Sequence, residues 1–371
     1  MKRSLVIAAV ATLATGDVMA HSAVALYGEL NETIERVKIG RAKVTELRDN
    51  QSFLGFRGTE DIEGALKVSF LLETQFNTDD GRADASVNEG GSFFGRESWV
   101  AIGSERLGRF RLGNMQYSSF YYATADVVGQ HNGDAGTSSD ALFLYVGNVT
   151  NTVAYITPAI YGMTVEVQYG LGEKAATDLP GKSAANTRSV GVTYDNGGFH
   201  AGGGYVKGPL TQSGRLFLGG PTNFKESLVA PVTTNPLNSS QSYGLRAMYE
   251  FTPTFNVAGY VNRDELDDGT NHANRMSFRI SSKLSLGASN FHVDAGRANS
   301  FSGTPKTGAE QYTFAYNYNL SKRTKLYAYY TRIDNDKNIY YGPGFNSNNQ
   351  SAGIRPGDNF SSFAVGIRHS F

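Results

Sequence analysis

The 371-residue sequence has no cysteine, one tryptophan, and after its first twenty residues no apolar run long enough to make a spanning helix. Without cysteine an exported chain has no disulfide framework, so its stability must come from backbone pairing and packing. A helical crossing needs roughly 20 consecutive apolar residues, and no later stretch approaches that length free of charged or strongly polar residues. Charge of one sign is missing too: Lys plus Arg and Asp plus Glu are 34 each. That balance predicts no polyanion partner, nucleic acid included, and leaves selectivity to the placement of charges.

Catalytic and metal patterns are equally scarce. The six histidines, His21, His131, His200, His272, His292 and His369, are scattered without a metal-ligand spacing. No His-Glu-x-x-His or Gly-x-Ser-x-Gly occurs. Pro180-Gly181-Lys182-Ser183 echoes a phosphate loop, but Ala176 stands where its first glycine should be. No cofactor, metal site or enzymatic activity is expected. The acidic run Asp264, Glu265, Asp267 and Asp268 reads as a solvated loop, with a divalent cation shared with lipid phosphates as the alternative.

What is present is glycine, 43 residues, and aromatics, 21 Tyr and 22 Phe, arranged with a period of two. Tyr312, Phe314, Tyr316 and Tyr318 alternate with Thr313, Ala315, Asn317 and Asn319; Phe70, Leu72, Thr74 and Phe76 alternate with Ser69, Leu71, Glu73 and Gln75. Aromatic outside and amide inside reverses what a soluble barrel needs, and suits a wet lumen with aromatic girdles facing lipid. The chain ends within such a strand, on Phe371. An open edge there is an aggregation hazard, which closure onto a strand near the start would remove. Residues 1–20 read as a signal peptide, with Lys2 and Arg3, an apolar stretch from Leu5 to Ala14, and Val18-Met19-Ala20 at the cleavage site. Residues 21–371 would then be a single barrel domain.

The alternation predicts strands at 23–37, 51–61, 65–77, 92–103, 108–116, 149–157, 163–171, 187–195, 198–207, 241–251, 254–263, 274–284, 288–298, 309–319, 323–334 and 360–371. The expected fold is all-β: a 16-stranded antiparallel transmembrane β-barrel with short periplasmic turns and long extracellular loops. The Gly-, Asn-, Ser- and Pro-rich loops 208–241 and 335–359 should cover the extracellular mouth.

Several segments, in this order and spacing, resemble the general porins of Gram-negative bacteria, most of all the β-proteobacterial branch with the neisserial and Comamonas-type porins. They are Ala25-Leu26-Tyr27-Gly28, the block Leu54-Gly55-Phe56-Arg57-Gly58-Thr59-Glu60-Asp61 followed by Gly64-Ala65-Leu66-Lys67, the stretch from Phe94 to Gly113, Leu320-Ser321-Lys322-Arg323-Thr324, and the ending Gly366-Ile367-Arg368-His369-Ser370-Phe371. The resemblance implies an outer-membrane homotrimer in contact with lipid and lipopolysaccharide. It implies a third loop folded into each barrel and passive diffusion of small hydrophilic solutes and ions, mildly anion-preferring or weakly selective. Phe371 would be the signal read by the barrel-assembly machinery.

In that family, acids on the inward loop face arginines on the wall. Here the loop 117–140 offers Asp126 and Asp134, and Arg96 matches a pore-facing family arginine. Phe53 and Asn114 stand where relatives carry arginine, so the ladder is thinned. Arg57 shares the lumen phase with Phe53, and Glu29, Glu73 and Lys67 alternate with apolar positions on their strands. Arg96 reads as a constriction residue or a structural wall arginine, and Phe53 as packing under the loop or a stacking surface. The latter supports the alternative of a solute-specific channel with an aromatic-lined constriction. Glu97 falls on the lipid side by phase, which is costly.

Overall fold

A computed structural model describes residues 23–62, 65–83, 92–115, 142–143, 149–171, 187–208, 239–267, 272–342 and 355–371. Residues 1–22, Asp126 and Asp134 lie outside this set. The regular elements are β1 (Ala23–Ile39), β2 (Ala42–Asp49), β3 (Phe53–Ile62), β4 (Leu66–Gln75), β5 (Glu97–Ser104), β6 (Gly108–Met115), β7 (Val149–Ile156), β8 (Met163–Gly170) and β9 (Thr187–Asn196). They continue as β10 (Phe199–Gly208), β11 (Ser239–Thr252), β12 (Phe255–Asp267), β13 (His272–Leu286), β14 (Ser289–Ala298), β15 (Ala309–Asn319), β16 (Thr324–Asn335) and β17 (Phe360–Ser370).

Each strand pairs antiparallel with the next, except that β2 and β3 both pair with β1, and β17 returns to β1 with Glu29 opposite Ser370 and Ile39 opposite Phe360. Closure matters in lipid because every spanning N–H and C=O needs a partner within the protein. The seventeen segments make a closed barrel of sixteen staves, since β2 and β3 are one stave. One edge of β1 pairs with both: Glu29 faces Phe53, and Glu32 faces Asp49. One extra residue within Asn50–Ser52 shifts the register, and Gln51 takes a φ of 68°. This is a β-bulge. It corrects the expected start at residue 51, because the polar segment 42–49 extends the second stave.

The last residue completes the seam. Phe371 donates its N–H to the Gly28 carbonyl at 3.1 Å and accepts from the Gly28 N–H at 3.3 Å. A Cβ on Gly28 would meet the Phe53 carbonyl oxygen at 2.5 Å and the Phe371 ring at 2.6 Å, so the approach requires glycine.

Alternation sorts the two faces as expected. On β15, Tyr312, Phe314, Tyr316 and Tyr318 are exposed outward, while Gln311, Thr313 and Asn317 are buried inward. Connections of two to six residues join strands at one end, and the connection 116–148 joins them at the other. Apolar packing on the lumen side concentrates at that second end, where Leu142, Phe301, Ile339 and Tyr341 meet Leu266, Ile333 and Phe360. The segment after β16 therefore turns inward at Ile339 and Tyr341.

Candidate functional site

Cross-strand register carries the inward face around the wall. Glu29 lies beside Phe53 and Phe53 beside Gln75; one row along, Tyr27 lies beside Gly55, Gly55 beside Glu73, and Glu73 beside Glu97. These rows gather expected residues from four strands. Arg96, in the turn before β5, donates from Nε to Glu73 Oε2 at 2.9 Å and from Nη1 to Gln75 Oε1 at 2.9 Å. Its guanidinium carbon sits 4.6 Å from the centre of the Phe53 ring. Tyr27 donates to the other Glu73 oxygen at 2.5 Å, and Arg57 lies 4.5 Å over the Tyr27 ring. A Cβ at position 55 would meet that ring at 2.7 Å, so glycine opposite Tyr27 is what lets the phenol lie flat on the wall.

The result is a continuous plate of two guanidiniums, two rings and one carboxylate. Tyr27 is an addition to the expected set, although its even spacing from Glu29 carried the signal. A cation over a ring contributes roughly 0.5–1 kcal/mol at an exposed site. Pairing with Glu73 also converts Arg96 from a lone charge into half of a dipole.

A second group stands on β5 to β8. Arg109 and Arg111 lie 5.7 and 5.3 Å from the centre of the Trp99 ring, and Arg111 is bonded to Glu166 across β7. Trp99 donates its Nε1–H to Glu97 at 2.8 Å. Glu97 thus shares the lumen phase of Glu73 and Trp99, correcting the expected lipid position. The physical reason is local: residues 93–96 form a turn, so the strand period starts at Glu97 and cannot be extrapolated from Arg96.

Asn114 is also corrected. It pairs with Ser98, out of phase with Arg111, and gives its amide to the Gly95 carbonyl at 2.8 Å, beside a register shift between Gly113 and Met115. Lys67 has the expected phase but stands at the turn end, bridged to Asp61 at 3.3 Å and half exposed. Glu29 takes Arg368 at 2.6 Å.

The third group was not anticipated as a site. Arg275 on β13 is fully buried. It donates to Asp264 Oδ2 at 3.2 Å, to the Leu142 carbonyl at 2.7 Å, and to the Tyr341 hydroxyl. The rings of Phe301 and Tyr341 flank its guanidinium, each 5.2 Å from centre. Asp264 accepts further bonds from Ser242 and Asn262, each 2.7 Å. It is therefore an inward residue of β12, not part of a solvated loop. The Tyr341 hydroxyl, on the connection beyond β16, is pushed up by burial. Two inward positions along β13, Arg279 donates to Gln311 at 2.6 Å and pairs with Asp294 at 3.6 Å. Phe143 packs edge-on against Tyr260 with centres 5.1 Å apart. The returning end of the connection between β6 and β7 thus rests on the inner wall.

An apolar exterior around a closed antiparallel wall, with charge and amide inside, defines a β-barrel channel of the bacterial outer membrane. The chain belongs to the Gram-negative porin family, whose model matches residues 5–338. It is 28% identical to outer membrane porin protein 32 of Delftia acidovorans over the full length of both chains. It is 26% identical to an outer membrane porin protein of Bordetella pertussis, over 89% of this chain and 93% of the relative. Among solved structures, an anion-selective porin from Comamonas acidovorans superposes with a TM-score of 0.72 at 21% identity, covering 95% of this chain and 100% of that one. The trimer form of OmpT from Vibrio cholerae gives 0.64 at 14% identity, covering 94% and 99%.

Proposed function

We propose that the chain forms a general-diffusion pore for small hydrophilic solutes and ions, with weak or mildly anionic selectivity and no chemical reaction. The observation carrying this is the pairing of the lumen arginines: Arg96 with Glu73, Arg111 with Glu166, Arg275 with Asp264, Arg279 with Asp294 and Arg368 with Glu29. A paired wall presents dipoles, whose fields fade faster than that of an unbalanced arginine ladder. The anionic tilt comes from Arg57 and Arg109, which rest on rings and have no ion pair among the described residues. That tilt agrees with the anion selectivity named for the Comamonas structure.

The burial of Leu142 and Phe143 supports an inward-folded third loop. Homotrimeric assembly, contact with lipopolysaccharide, a cleaved leader at 1–20 and recognition of Phe371 by the assembly machinery belong to the same reading. A second reading, a channel specific for ring-bearing or anionic solutes, is favoured by the Tyr27, Phe53, Arg57 and Arg96 plate.

Planar-bilayer recording tests both. The first reading expects ohmic conductance lost in steps of three and a small reversal potential of anionic sign in a salt gradient. Saturating block by one solute class would replace it with the second, and folded protein without conductance would sink both.

A further inference from the structure

We infer that the lumen wall on the short-turn side of Arg96 carries a binding site for aromatic monocarboxylates, formed by Arg57, Leu71 and Trp99. The inference deepens the solute-specific reading of the channel by naming the solute class, and it rests on that reading's placement of these strands around a lumen. Strand pairing sets the three residues in one inward row, with Arg57 opposite Leu71 and Leu71 opposite Trp99. Leu71 breaks the pattern of its own strand. The other inward positions of β4 are Lys67, Ser69, Glu73 and Gln75, all polar, and Leu71 stands among them only part-buried. An apolar side chain on a wet wall gains nothing from water, and gains from the apolar face of a solute that displaces it.

The two ends of the row offer different contacts. Arg57 is exposed, lies over the Tyr27 ring and has no ion pair among the described residues, so its fork of N–H donors can take a solute carboxylate in a charge-assisted bond. Trp99 is part-buried and commits its indole N–H to Glu97 at 2.8 Å, so it presents a ring rather than a donor. Neighbouring strands lie about 4.8 Å apart, which sets the backbones of Arg57 and Trp99 roughly 10 Å from each other with Leu71 as the floor between them. One benzene ring and its carboxylate fit that interval. The carboxylates nearby are already engaged, Glu73 by Tyr27 and Arg96, and Glu97 by Trp99. Arg109 and Arg111, on the strand beyond Trp99, add positive charge. A small aliphatic acid would use Arg57 alone, and a neutral ring only Leu71 and Trp99.

The test follows the emission of Trp99, the only tryptophan of the chain, as benzoate is titrated into the folded protein in detergent. Saturable quenching is expected, with acetate and benzyl alcohol competing about tenfold more weakly than benzoate itself. Arg57→Gln should bind benzoate about tenfold more weakly, through loss of one charge-assisted bond. Leu71→Ser should bring benzoate to within about threefold of acetate, because the apolar floor is gone. Quenching that never saturates, or natural affinity in both variants, would overturn the site. Competition by acetate equal to that by benzoate would overturn the aromatic class. Planar-bilayer current separates this inference from the channel reading: folded protein that binds benzoate but carries no current would sink the pore and leave the site standing, and ohmic conductance without saturable quenching would do the reverse.

Discussion

The wall around Arg96 and the wall around Arg275 use the same chemical pair in opposite ways. Arg96 and Glu73 keep 19% and 12% of their side-chain exposure, beside rings that line the open lumen. Arg275 and Asp264 keep 0% and 1%, sealed beneath Phe301, Tyr341 and the Leu142 carbonyl. Water reaches the first pair and screens it. No water screens the second, so its charges act only on each other and on the segments bonded to them. On the proposed function a guanidinium beside a carboxylate would sort ions on one side of the barrel, while on the other it fastens connections. Depth decides which.

The largest effect should come from breaking the sealed pair. Arg275→Met fills similar volume but leaves Asp264 charged and buried, a situation that costs about 3–5 kcal/mol. Thermal unfolding of the detergent-solubilised protein should show a markedly lower midpoint. Adding Asp264→Asn should restore part of the loss, because a neutral amide is cheaper to bury than a carboxylate. Unfolding of the single variant at the natural midpoint would show that Arg275 fastens nothing.

Reversing the open pair should act on ions instead. Arg96→Glu sets a second carboxylate beside Glu73 in the lumen. Two unit charges about 6 Å from a passing ion in near-bulk water amount to ~1 kcal/mol before screening, so the anion-to-cation permeability ratio should fall roughly two- to fivefold. Thermal stability should move far less than in Arg275→Met. An unchanged reversal potential in a salt gradient would remove Arg96 from the constriction.

The contrast between the two walls also marks how far the sequence could be read. Strand positions and the lumen phase of Phe53, Arg57, Glu73 and Glu29 were legible, since a barrel wall in lipid enforces a period of two wherever the strand is regular. Errors fell where regularity stops: Glu97 after the turn at 93–96, Asn114 beside a bulge, and segment 42–49 across the bulge at 50–52. The sealed wall was illegible for another reason. Arg275 meets Leu142 and Tyr341 through connections distant in sequence, and no local spacing announces such a meeting. Asp264 consequently read as one acid in a run.

The smallest effect sharpens the comparison at a third depth. Lys67 has the lumen phase of Glu73 but stands at the turn end, with 55% of its side chain exposed and Asp61 beside it. Its field at the ion path must cross open water, where screening acts over ~10 Å at 0.1 M salt and ~30 Å at 0.01 M. Lys67→Glu should therefore leave the reversal potential unchanged at the higher salt and tilt it toward cations only at the lower. Arg96→Glu, acting at closer range, should keep most of its effect at both. Equal salt dependence of the two variants would place them at the same depth and dissolve the distinction between mouth and constriction.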